Sequence, residues 1–193
     1  MRHLNSNLLC AVDINITGPN HNIHELLEIA IIPLNNFMEP KGSMFHALIK
    51  PGRIERGKPG VTDMKYNEAV ESGIDFFAAA NLFETWFTSL KLPDNKKICI
   101  LSYKYHLKFP FIEDWLQPTS YATHFSEDIR DLDTFACAAN DFADIKCVDW
   151  PFPKRDLGYI YSMCGYPCVP TDDCLERAHM MSQCYKQMLR MYP

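Results

Sequence analysis

Three apolar runs crowd into the first fifty residues, and they constrain this chain more than anything after them. Residues 7–14 read NLLCAVDI, residues 24–35 read HELLEIAIIPLN, and residues 43–52 alternate as SMFHALIKPG before stopping at Pro51-Gly52. Short apolar runs bounded by turn residues are strands, and an uninterrupted one is a strand covered on both faces. Short links rich in Asn, Gly and Pro favour an antiparallel meander. A sheet this apolar needs helices to cover it, and the rest of the chain supplies them in alternation with further strands.

A polar loop is expected over residues 52–73. The spacing of Phe76, Ala79, Ala80, Phe83, Trp86, Phe87 and Leu90 then predicts a helix over 74–90. KKICILS (96–102) reads as a short buried strand, and FPFIEDWL (109–116) as a helix stopping near Pro118. DIRDLDTFACAANDFA (128–143) reads as strand then helix, and KRDLGYIYSMCGYP (154–167) as a helix ended by Gly165 and Pro167. A last helix follows Pro170, with Thr171 and Asp172 as N-cap candidates, and runs to about Met191. Repeats, low-complexity tracts and interdomain linkers are missing, so residues 1–193 read as a single α/β domain. Trp86, Trp115 and the Phe residues between 76 and 87 read as core, and His46 and His106 as partly exposed polar side chains.

Composition narrows the function. Apolar residues make up 47% and charged residues 22% of 193, an ordinary globular balance. Stretches of membrane-spanning length and a signal-peptide pattern are both missing, which makes a cytoplasmic protein the expectation. The net charge of −5 argues against a broad surface for coating nucleic acid. One local basic stretch, Lys50, Arg53, Arg56 and Lys58, reads as a solvated loop. Most of the eight cysteines sit in apolar patterns and read as free thiols. Cys164, Cys168, Cys174, His179 and Cys184 form the one metal-like cluster, without a paired Cys-x-x-Cys; a zinc-stabilised interaction module is the reading it would support.

The order of motifs along nearly the whole chain resembles the DEDD (DnaQ-like) 3′–5′ exonuclease superfamily. AVDINITG (11–18) resembles its first motif, Asp-x-Glu-x-Thr-Gly, and HELLEIAIIPLN the strand after it. FHALIKPGR and PGVTDM resemble the third strand and the loop usually written His-Gly-Ile-Thr. ILSYKYHLKFPFIEDWL (100–116) resembles the second motif, His-Asn-x-x-Phe-Asp, and DLDTFACA the strand-helix step between motifs. DLGYIYSMCGYP followed by TDDCLERAHMMSQCYKQML resembles the last motif, His-x-Ala-x-x-Asp-Ala. The resemblance implies an RNase H-like α/β fold: a mixed central sheet with three antiparallel N-terminal strands and helices on both faces. It also implies a site where four carboxylates hold two Mg²⁺ or Mn²⁺ ions, one activating water and the other stabilising the leaving oxygen.

At the positions the resemblance assigns, the acids are mostly missing. Asp13 remains, Asn15 replaces the second acid, Lys108 the third and Arg177 the fourth, and the expected base falls on Asp172. A four-carboxylate site carries about −4 against two divalent ions. Two unit charges about 4 Å apart interact by roughly 4 kcal/mol at an effective dielectric near 20, so a fixed Lys opposes a divalent ion by about twice that. Asp114 falls off the face of Lys108, and Asp173, one turn before Arg177, is expected to pair with it. The expectation is therefore a degenerate catalytic site without bound metal, Asp13 being the one ligand left for any ion. Asp13, Lys108, Arg177 and Asp172 are expected to form a charge-balanced network in its place.

Two functions follow from the resemblance. One is a protein that has lost catalysis and binds single-stranded DNA or RNA ends through Thr17, Gly18, Tyr103, Lys104, Tyr105, Lys108 and Arg177, or else serves as a scaffold for a protein partner. The alternative is an active Mg²⁺- or Mn²⁺-dependent 3′–5′ exonuclease on DNA or short RNA with atypical ligands.

Overall fold

The structure, a computed structural model, describes residue 4 and residues 6–52, 63–166 and 171–191. Five strands, β1 (Leu8–Ile16), β2 (Leu26–Pro33), β3 (Phe45–Leu48), β4 (Ile98–Ser102) and β5 (Phe125–Asp131), form one sheet in the order β3-β2-β1-β4-β5. β1 pairs antiparallel with β2, and β2 with β3, whereas β4 lies parallel to both β1 and β5. This is the mixed sheet with three antiparallel N-terminal strands that the motif order implies.

Both faces of the sheet are covered, which is why β1 and β2 read as unbroken apolar runs. One face carries Cys10, Val12, Ile14, Ile29, Ile31 and Ile100 beneath α2 (Phe76–Ser89) and α3 (Tyr105–Leu116). The other carries Leu9, Ala11, Ala30, Ile32 and Leu101 beneath α5 (Leu132–Ile145), α6 (Leu157–Met163) and α7 (Cys174–Met191). The aromatic residues of 76–87 divide: Phe83 and Trp86 are core, while Phe77 is exposed.

Several expectations are corrected. Residues 17–25 and 34–44 link the first three strands, longer connections than the tight turns expected. The segment read as a loop over 52–73 contains α1 (Asp63–Ser72); residues 53–62, with Arg53, Arg56 and Lys58, lie outside the described residues. α1 escapes a periodicity test because its apolar contact is narrow: Ala69 and Tyr66 packing on Leu27 and Leu48. Ile74 is not helical but bridges to Ile49, and the helix starts after Asp75, whose carboxylate accepts from the amides of Phe77 and Ala78. α3 begins at Tyr105, earlier than expected, and runs through Pro110. Pro118 ends α3 but also opens an unexpected helix, α4 (Pro118–His124), at the first position, where a missing N–H costs nothing. The last helix is capped by neither Thr171 nor Asp172: Asp173 accepts from the Glu176 amide at 2.9 Å, placing the cap one residue later.

Candidate functional site

Alternation along β1 puts Asp13 and Asn15 on one face, the face that α7 covers. Asp13 is 1% exposed, and both of its carboxylate oxygens meet a cation. From α3, Lys108 donates its ammonium to Oδ1, with Ser102 Oγ 3.4 Å away. From α7, Arg177 donates Nε to Oδ2 at 2.5 Å. A carboxylate buried this deeply is tolerable only when paired and hydrogen-bonded, and here it is both.

Arg177 organises the rest. Its Nη2 donates to Asn15 Oδ1 at 2.7 Å and to the Ile14 carbonyl at 3.3 Å, and its Nη1 donates to the Thr171 carbonyl at 3.3 Å. Burial opposes its charge, but Asp13, with help from Cys174 and Glu28, outweighs that and holds the guanidinium above its ordinary pKa. Asn15 then donates Nδ2 to Glu28 Oε2 at 2.6 Å and to the Asp172 carbonyl at 2.7 Å. The amide is the one side chain of this set able to accept from the arginine and donate to an acid at once.

Glu28 is the residue that sequence reasoning passed over. It stands directly across β1 from Asn15, is 1% exposed, and receives His46 Nε2 at 2.8 Å and Lys65 Nζ at 3.4 Å. Burial pushes its carboxyl up, but His46, Lys65, Cys174 and Asn15 pull it down to about 2. The hydrogen bond to Glu28 in turn raises His46. Its signal in the sequence was a single charge inside LLEIAIIP.

Two placements differ from expectation. Asp172 contributes only its carbonyl; its side chain is exposed. Asp173 pairs with Lys65 at 3.9 Å and caps α7 rather than pairing its carboxylate with Arg177. Asp114 faces His21 at 2.8 Å, away from Asp13.

The expected binding residues are also dispersed. Tyr105 is core, 5% exposed, with its hydroxyl against that of Tyr121. Tyr103 is half-buried and donates its hydroxyl to the Arg155 carbonyl at 2.6 Å. Lys104, in left-handed backbone at the start of α3, has its ammonium 5.2 Å from the Tyr103 ring, and Lys108 lies 6.0 Å from the same ring. Thr17 is buried, its hydroxyl accepting from the Glu25 amide at 2.9 Å. The His24 ring lies over Gly18 so closely that a Cβ there would meet it at 2.5 Å.

Among the described residues, no three His, Cys, Asp or Glu side chains are grouped to hold a metal ion. Of the late-cysteine cluster, Cys164 and Cys184 meet in the core, Cys174 turns toward the Glu28 carbonyl and His179 lines a separate surface hollow; Cys168 lies outside the described residues.

No family model and no curated protein sequence matches the chain. Solved structures do. E. coli exonuclease I in its zinc-bound complex with single-stranded DNA superposes with a TM-score of 0.72 at 18% identity, over 97% of this chain and 41% of that one. The nuclease domain of 3′hExo, a DEDDh family member bound to rAMP, superposes with a TM-score of 0.66 at 14% identity, over 97% of this chain and 94% of that one. The chain thus spans about two fifths of exonuclease I and nearly all of the 3′hExo nuclease domain. The likeness is one of fold: the five-stranded mixed sheet and flanking helices superpose on the exonuclease domains of both structures.

Proposed function

We propose that this protein uses an exonuclease fold to bind single-stranded nucleic acid ends without two-metal hydrolysis. The observation that carries the reading is the position of Lys108 and Arg177 on the two oxygens of Asp13. The donor set does not fit a pair of divalent ions. Metal at Asp13 would have to displace both cations while remaining beside them, and Asn15 offers an oxygen already held by Arg177. The three side chains carry a net charge of one positive unit where the chemistry needs an excess of carboxylates.

Binding is supported by what remains at the rim. Lys104 and the Tyr103 ring present a cation beside an aromatic face, the pairing that takes a phosphate and an unstacked base. The solved relatives of this fold include complexes with single-stranded DNA and with rAMP. Lys108 and Arg177 reinforce the positive potential of the cleft while Asp13 holds them in place.

The test has two arms. End-labelled DNA and RNA oligonucleotides incubated with Mg²⁺ or Mn²⁺ should keep their length, and the same oligonucleotides should bind in EDTA with salt-sensitive affinity. Metal-dependent shortening that disappears in Asp13→Ala would establish the active-exonuclease reading instead. Absence of binding in EDTA would remove the nucleic-acid reading.

A further inference from the structure

A second recess lies at the far edge of the sheet, away from the Asp13 network. It has a volume of about 630 Å³ and opens between α3, α4 and β5. Among the described residues β5 pairs only with β4, which leaves its other edge unpaired there. Phe125, Glu127, Ile129 and Asp131 alternate onto the face of β5 that lines the recess. Phe125 is sealed under Tyr121, their rings stacked 5.0 Å apart, whereas Ile129 is 37% exposed. The helices therefore cover the start of this strand and leave its second half open. Phe109, 5.2 Å from the Tyr121 ring, completes an aromatic wall.

Acids outnumber bases around this wall: Glu113, Glu127 and Asp131 against Lys97. Glu113 projects from α3 and Glu127 from β5, and among the described residues neither forms a hydrogen bond or ion pair. Asp131 is engaged as a cap, accepting from the amides of Tyr105 and Thr134, and the Lys97 ammonium is turned to the Ala122 carbonyl at 2.5 Å. The recess thus combines apolar rings, two carboxylates with unused acceptors and a free strand edge. Nucleic acid is repelled by such a rim, while a peptide cation is attracted to it.

We propose that this groove docks an extended basic segment of a protein partner. The segment adds as a strand along the free edge of β5, rests an apolar side chain on Tyr121 and Ile129, and places a lysine or arginine between Glu113 and Glu127. This surface is independent of the nucleic-acid reading and stands or falls without it.

Calorimetric titration of the full chain with a capped peptide alternating lysine and leucine tests the proposal. Saturable binding is expected, weakened at least about tenfold in Glu113→Lys/Glu127→Lys and by N-methylation of alternate peptide amides. The glutamate-for-lysine peptide should not bind. The proposal is overturned if the lysine peptide fails to bind, if either change leaves its affinity unaltered, or if a single-stranded oligonucleotide displaces it. If circular dichroism shows the double variant unfolded, the glutamate and N-methyl peptides on the unaltered chain still decide the matter.

Discussion

Asp13 is a carboxylate whose removal should be felt twice. With Asp13→Asn, Lys108 and Arg177 lose their shared counter-charge in a buried setting, which costs about 3–5 kcal/mol. Urea denaturation should show that loss, and the released cations should tighten oligonucleotide binding in EDTA. Replacing all three residues by apolar ones of similar volume should restore much of the stability while abolishing the gain in binding, because an ion pair need not outperform a packed core. Glu28 and His46 set a pH window. Glu28 falls from 4.5 to about 2, so its contribution is complete above about pH 4.5 and is lost as pH drops toward 2. His46 is raised above 6.5, so its contribution is complete below that value and is lost as pH climbs through the raised pKa. Thermal unfolding should therefore show this pair contributing most between about pH 4.5 and 6.5. His46→Gln, which keeps an N–H for Glu28 but does not titrate, should flatten the alkaline side of that profile.

At the scale of elements, α7 carries the most consequence, because it delivers Arg177. Its start is held by Asp173, and Asp173→Ala should cost about 1 kcal/mol, read as a lower urea midpoint. This scale also shows how far the sequence could be read. β1, β2 and β4 were legible because burial on both faces leaves a continuous apolar run. Lys108 and Arg177 could be placed beside Asp13 only through the resemblance to the exonuclease motifs, because they reach it from α3 and α7. Tyr105 could not. It neighbours the cleft in sequence, but the turn into α3 sends its ring into the core. α4 was hidden because proline is both a helix terminator and a favoured first residue, and Pro118 is both at once. Glu28 was visible as a lone charge in a strand, but its partners come from β3, α1 and β1, which local periodicity cannot bring together.

For the whole molecule, a net charge of −5 and a narrow cationic rim imply a salt dependence set by a few phosphate contacts. If Lys104, Lys108 and Arg177 together meet three phosphates, the log–log salt slope for a single strand should be about −2. A much steeper slope in filter binding would mean that further cations take part. No helix among the described residues is long and apolar enough to cross a membrane. The acidic recess beside β5 and the cations beside Asp13 give the molecule two sites of opposite sign, and if both proposals hold they would take two different kinds of chain.

The clasp of Lys108 and Arg177 on Asp13 also resists piecemeal change. Converting this site into one with four carboxylates requires an acid at Asn15, Lys108 and Arg177. A first step at either cation has a cost. Changing Lys108 first sets a new carboxylate beside Asp13 with only Arg177 to share; changing Arg177 first strips Asn15 and two carbonyls of their donor. An exchange at either cation removes a partner that Asp13 uses, and acids at all three positions would leave the buried Asp13 without a counter-charge unless metal ions supplied it.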